Sequence, residues 1–169
     1  MSLDALHALP DDARLWLLAL DPAPDAAAAA RLGEGMEALV AEWRHKGVAY
    51  AGAWTLLEGR VLTLAEPTMA SAPSGCAIDG MMRKVSRLVD SLGLAMVDPV
   101  TAVLVRVPDG LRVIAKTDLE ARLADGTLDA GTPVLDLSLF TLGDLRAGKL
   151  EKPLARTWIG RKYKVAAAV

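Results

Sequence analysis

The chain carries a single cysteine, Cys76, in the stretch SAPSGCAIDG, with Gly75 before it and Asp79 three residues on. A cysteine nucleophile needs a base and a group that orients the base. Cys76, His45 and Asp79 supply those residue types, and they form the candidate catalytic set. Cys76 falls where a helix is expected to begin, so unpaired backbone N–H groups and the positive end of the helix dipole would stabilise a thiolate.

The same stretch has two simpler readings. As a helix start, Ser74 is the cap, Gly75 permits close backbone approach, Cys76 is a small hydrophobe and Asp79 complements the dipole. As an anion site, Ser74, Gly75 and Cys76 receive a negatively charged group on the backbone, which requires no special side-chain geometry. The preferred function is therefore a binding or assembly module with an anion-ready helix N-terminus at Ser74–Asp79. The alternative is a cysteine-dependent enzyme with Cys76 as nucleophile and His45 as base, and the sequence leaves open whether the protein is an enzyme.

Several chemistries fail on spacing. A phosphate-cradling Cys-x5-Arg loop needs five intervening residues, whereas six, Ala77 to Met82, separate Cys76 from Arg83. The sequence has no Gly-x-x-x-x-Gly-Lys-Ser/Thr, no Gly-x-Gly-x-x-Gly and no Gly-x-Ser-x-Gly run. With two histidines and one cysteine, a Cys/His metal cage is disfavoured, and neither metal nor cofactor is expected.

These residues must be positioned by the surrounding elements. RLWLLAL, Arg14 to Leu20, is an apolar run of strand length that reads as a central strand. Asp25 is placed to cap a helix whose apolar stripe runs through Leu32, Met36, Leu39, Val40 and Trp43, with Gly47 as its stop. His45 then lies in the last helical turn, where a histidine ordinarily meets the dipole and caps carbonyls. YAGAWTLLEGRVLTLAEP reads as two strands joined at Glu58-Gly59.

Ile78, Met81, Met82, Val85, Leu88, Val89 and Leu92 mark a second amphipathic helix that Gly93 ends. TAVLVRV and LRVIAK flank a Pro-Asp-Gly turn. Thr117–Glu120 reads as a capping box for a short helix, VLDLSLF as a strand, and Thr141–Asp144 as the cap of a further helical turn.

The order is strand, helix, strand, strand, helix, strand. It predicts an α+β fold: an antiparallel sheet with helices mainly on one face, a ferredoxin-like βαββαβ core in which TAVLVRV is the fourth strand, and a C-terminal extension. A length of 169 residues fits a single domain, 1–169, divided into a leader at 1–12, a core at 13–116 and an extension at 117–169. In the helix pair of such a core, the end of the first helix approaches the start of the second. That geometry would bring His45 toward Cys76.

The net charge of −2 is unevenly distributed, because the segment from Glu151 onward carries five basic residues against one acidic residue. Trp158 and Tyr163 lie among them. A pI near 5.7 nevertheless disfavours nucleic acid as a partner, and a strand with Trp158 packed inward accounts for the pattern. The expected partner is a small anionic ligand or another protein, a second copy of the chain included. The start MSLDALHALPDD lacks the basic and apolar regions of a secretory signal, no apolar stretch is long enough for a bilayer span, and the lone cysteine fits a reducing compartment. A cytoplasmic protein without membrane association is expected.

Trp43, His45-Lys46-Gly47, SGCAID, the Asp136 strand, Thr141-Leu-Gly-Asp-Leu, Pro153 and Thr157-Trp158 together resemble a family of small uncharacterised bacterial proteins. Its members show a Trp, a His-Gly step, a Ser-Gly-Cys-Ser-Ile-Asp motif and a terminal Ser-Trp, and some carry an ABC-transporter ATPase label. The resemblance implies that Ser74, Gly75, Cys76, Ile78 and Asp79 form one motif. It departs from the family at Ala77, at Thr157 and at the lysine between His45 and Gly47. The label implies a nucleotide-binding domain, and this chain has no Walker A loop to support it.

Overall fold

A computed structural model describes residues 4–45, 47–67 and 75–165, without the side chains of residues 45 and 75–77. Helices and antiparallel sheets coexist in one chain, so the fold class is α+β. The chain divides into two compact units, Met1–Met96 with Ser138–Ala147, and Val97–Leu137 with Gly148–Val169.

In the first unit, β1 (Arg14–Asp21) leads to α1 (Ala26–Ala41), and Asp25 caps that helix by accepting a 2.7 Å bond from the Ala28 N–H. A small ribbon follows, β2 (Arg44–His45) against β3 (Val48–Ala49), and then the hairpin β4 (Ala53–Leu57) and β5 (Val61–Glu66). The hairpin turns through positive φ at Glu58 and Gly59, as Glu58-Gly59 predicts. Next come α2 (Gly75–Ser91) and β6 (Ala95–Met96). The sheet order is β4-β5-β1-β6, every neighbouring pair antiparallel.

β1 is therefore central, and its uninterrupted apolar run has a physical reason: it is buried on both faces. Leu20, with partly buried Trp16 and Leu18, joins Leu32 and Met36 of α1, Leu62 and Leu64 of β5, and Met81, Val85 and Val89 of α2 in one core. Leu15, Leu17 and Ala19, on the opposite face, are buried as well. Along the N-terminal half of β1 the free edge is taken by a later segment: the Leu15 N–H donates to the Phe140 carbonyl, and the Leu142 N–H donates to the Ala13 carbonyl. That segment contains α4 (Leu142–Arg146), where Thr141 caps by accepting from the Asp144 N–H, as expected.

The second unit has its own sheet. β7 (Ala102–Val107) and β8 (Gly110–Ala115) form a hairpin at the Pro-Asp-Gly turn, followed by α3 (Leu119–Ala124), β9 (Pro133–Leu135), β10 (Glu151–Pro153) and α5 (Trp158–Tyr163). The order is β10-β9-β7-β8, over a core of Val105, Ile114, Leu119, Leu128, Val134, Leu154 and Ile159.

Five expectations are corrected. The fourth strand of the first sheet is Ala95–Met96; Ala102–Val107 pairs instead with its hairpin partner and with Val134. α1 stops at Ala41 rather than at Gly47, because Trp43 turns into the core and its carbonyl accepts from the Tyr50 N–H at 2.9 Å. His45 is consequently in a strand, not in a helical turn. Asp118, not Thr117, is the cap position of α3, and it makes no side-chain capping bond. The C-terminal aromatic segment is a helix with Trp158 37% exposed, not a strand packing it inward; Lys116 Nζ lies 4.9 Å from its ring.

Candidate functional site

Chain direction decides what meets at one end of the first sheet. β1 and β5 run antiparallel with Arg14 opposite Glu66, so the start of β1 lies beside the end of β5. α1 leaves the far end of β1 and returns, which brings Trp43 back to Trp16, ring centroids 6.1 Å apart. β5 ends at Glu66, and the next helix, α2, starts at Gly75. Met81 of α2 joins Trp43, Tyr50 and Leu64 in the same core.

Side-chain alternation then fixes the face. Glu66 continues the series Leu62 and Leu64, so its carboxyl points to the side of the sheet that both helices cover. Glu66 is 0% exposed, and neither carboxyl oxygen has a hydrogen-bond partner among the described residues. Arg14 does not neutralise it through an ion pair. Its guanidinium lies 5.2 Å from the Trp16 ring and 5.2 Å from the Phe140 ring, and its Nε is buried without a hydrogen bond. The rings of Trp43 and Tyr50 pack with centroids 5.2 Å apart and planes tilted by 50°, and the Trp43 indole N–H is likewise buried and, among the described residues, unpaired. Gly52 leaves room for this packing, since a Cβ there would meet Trp43 Cε3 at 2.8 Å.

Electrostatics follow from burial. Removal from water pushes the Glu66 carboxyl above its ordinary value, and the positive charge of Arg14 opposes the shift in part. The Tyr50 phenol is pushed up by burial and then by the negative charge of Glu66, which favours its protonated form. A carboxyl and a phenol that both favour their protons thus lie in the interior of the first unit.

His45, in β2 and two residues beyond Trp43, pairs with Val48 of β3, and Gly75 and Cys76 are the first residues of α2. Ser74 lies outside the described residues, as do the side chains of His45 and Cys76. Asp79, further along α2, is exposed. Among the described residues no group of three or more His, Cys, Asp or Glu is arranged to hold a metal ion, and no helix is long and apolar enough to cross a membrane.

Glu66 and Arg14 were not singled out by motif, yet the sequence holds a signal for both. In VLTLAE the residue that continues the Leu62, Leu64 face is charged, and in RLWLLAL the residue that continues the Trp16, Leu18 face is Arg14. A charge on an apolar face is informative, whereas the following proline makes Glu66 read as part of a turn. Compared with known proteins, the chain matches no family model, no curated protein and no solved structure.

Proposed function

We propose that the first unit is a binding module that receives an anionic group at the start of α2. The observation that supports the reading is the start of a 17-residue helix at Gly75, whose first-turn N–H groups can receive an anion, in a unit that also holds two buried donors unpaired among the described residues, Arg14 Nε and the Trp43 indole N–H. The reading takes SGCAID as one functional unit, in line with the resemblance to the small bacterial family, and a cytoplasmic setting suits its free thiol. A thermal-shift panel of sulfate, nucleotides and carboxylates tests it. Binding to the folded state raises the midpoint by mass action; a midpoint unmoved by every anion removes the proposal.

The position of Cys76 in the first turn of α2 favours one second reading, a cysteine-dependent enzyme in which Cys76 is the nucleophile and His45 the base. The pH dependence of Cys76 alkylation decides it. A reactive thiolate gives a midpoint well below the ordinary value of about 8.5; a midpoint at or above that value, or a thiol that does not react in the folded protein, sinks the enzyme.

A further inference from the structure

We propose that the exposed face of α5 is a binding surface for single-stranded nucleic acid, with Trp158 as the platform on which a base stacks and the surrounding cations as its phosphate contacts. The surface lies wholly in the second unit, and the inference is independent of the anion reading of α2.

Spacing and burial divide α5 into two faces. Ile159 and Gly160 are buried, and Tyr163 packs against the core that holds Leu119 and Leu154. Trp158, Arg161 and Lys162, related as i, i+3 and i+4, share the exposed face. The seat of this helix is tight. Thr157 Oγ1 accepts from the Ile159 N–H and donates to the Leu154 carbonyl, and a Cβ on Gly160 would meet the Ala155 carbonyl oxygen at 2.5 Å. Trp158, 37% exposed, is therefore presented by a packed element rather than by a loop.

The cations around the ring lack acidic partners. Lys116 Nζ, 4.9 Å from the Trp158 ring, donates to the Pro99 carbonyl at 2.7 Å, and Lys162 Nζ lies 6.0 Å from the Trp158 ring and 5.0 Å from that of Tyr163. Among the described residues, neither lysine forms an ion pair, and nor do Arg156, Arg161 and Lys164. From Gly148 to the last residue the sequence has one acid, Glu151, and Arg106 already pairs with it. A pI near 5.7 describes the whole chain, whereas phosphates meet the local charge.

An exposed aromatic ring among unpaired cations offers a nucleotide what it needs: a π-face for the base and positive charge for the phosphate. The ammonium groups beside the ring do not bar this use. Base stacking outweighs an exposed cation–π contact, and a displaced Lys162 ammonium passes to the adjoining phosphate. A paired base has its faces covered by its neighbours, so the ring selects an unpaired strand. An acidic peptide would satisfy the cations yet leave the indole face without a role. Ring and phosphate contacts do not read base edges, so binding tolerates any sequence.

The test is fluorescence anisotropy of labelled oligo(dT) and oligo(U), each of about 12 nucleotides, with the full-length chain at about 50 and about 200 mM salt, and of labelled poly-L-glutamate for comparison. At least one oligonucleotide is expected to bind, and the tighter of the two identifies DNA or RNA as the source. Trp158→Leu, which keeps bulk without a π-face, is expected to weaken binding about tenfold with the salt dependence unchanged, and Trp158→Phe to retain most of the affinity. Lys162→Gln is expected to lower the slope of log affinity against log salt by about 0.7, one phosphate contact. Lys84→Gln removes an exposed lysine of α2 in the other unit and leaves binding unchanged. The inference fails if neither oligonucleotide binds at the lower salt, if Trp158→Leu binds as wild type, or if Lys84→Gln weakens binding as much as Lys162→Gln. It also fails if poly-L-glutamate binds as tightly as the oligonucleotides, which would make the face a docking site for an acidic protein. Circular dichroism checks each variant; should Trp158→Leu lose its fold, the slope of Lys162→Gln against Lys84→Gln decides.

Discussion

Glu66 lies directly opposite Arg14 in the β1–β5 register, yet the two form no ion pair: Arg14 is drawn to the rings of Trp16 and Phe140, and the buried carboxyl has no partner among the described residues. Cross-strand opposite charges usually stabilise a sheet. Here the pairing potential is diverted, and the carboxyl keeps an unmet demand that bears on stability and its pH response.

Stability should therefore depend on pH through Glu66. Its folded value is raised above the ordinary 4.5, so the folded state holds this proton to higher pH than the unfolded chain does. The favourable contribution is fully present below the ordinary value and is lost as pH rises through the raised one. Glu66→Gln removes the ionisation and is expected to stabilise the protein at about pH 8 by about 1–3 kcal/mol, with the difference shrinking toward about pH 4. Urea denaturation of the two chains across that range measures it. A wild-type profile no steeper than that of the variant contradicts the assignment.

Arg146 anchors the start of the chain. Its guanidinium donates to the carbonyls of Leu6, His7 and Leu9 at 3.0, 3.3 and 3.0 Å, and it pairs with the Asp11 carboxylate. Leu6 and Leu9 are themselves buried. Arg146→Ala is expected to destabilise by about 2 kcal/mol, because it leaves acceptors without a donor. Arg146→Lys has one nitrogen, which cannot serve both the carbonyls that Nη2 reaches and the Asp11 carboxylate that Nη1 reaches, and should recover only part of that loss in the same denaturation measurement.

Two helical glycines should respond differently to alanine. At Gly160 an added Cβ meets the backbone of Ala155, with the carbonyl oxygen at 2.5 Å, and the chain itself must move. At Gly35 the obstacle is the Leu88 side chain, whose Cδ1 lies at 2.6 Å and can rotate away. Gly160→Ala is expected to cost about 1–3 kcal/mol, whereas Gly35→Ala should cost less, its clash offset by about 1 kcal/mol of helix propensity. Midpoints that rank the other way would show that α5 yields more readily than α1.

The elements that carry strong local chemistry were legible in the sequence. Asp25 and Thr141 cap where their spacing predicts, Glu58-Gly59 and Pro108-Asp109-Gly110 make hairpins, and the unbroken run after Arg14 marks the central strand. Long-range competition hid the rest. Trp43 keeps helical spacing, but the surface it buries against Trp16 and Tyr50 outweighs another turn of α1, which moves His45 into a strand. Ala95–Met96 is too short for periodicity to reveal, and Ala102–Val107, the better strand by composition, has a partner of its own in Gly110–Ala115. The site was half visible: SGCAID pointed to the start of α2, while Glu66 and Arg14 became informative only when the register set them opposite each other.

The edge of β1 is closed by Phe140 and Leu142, which follow the whole of Val97–Leu137 in the chain. On the ribosome, Arg14 to Leu20 therefore emerge well before the residues that finish their sheet. A chain released after Met96 would hold α1, α2 and the β4–β5 hairpin, yet leave the Leu15 N–H and the Ala13 carbonyl of its central strand without their partners. The order of synthesis leaves this edge open until the residues after Leu137 emerge, and nascent chains are vulnerable there to strand-edge association.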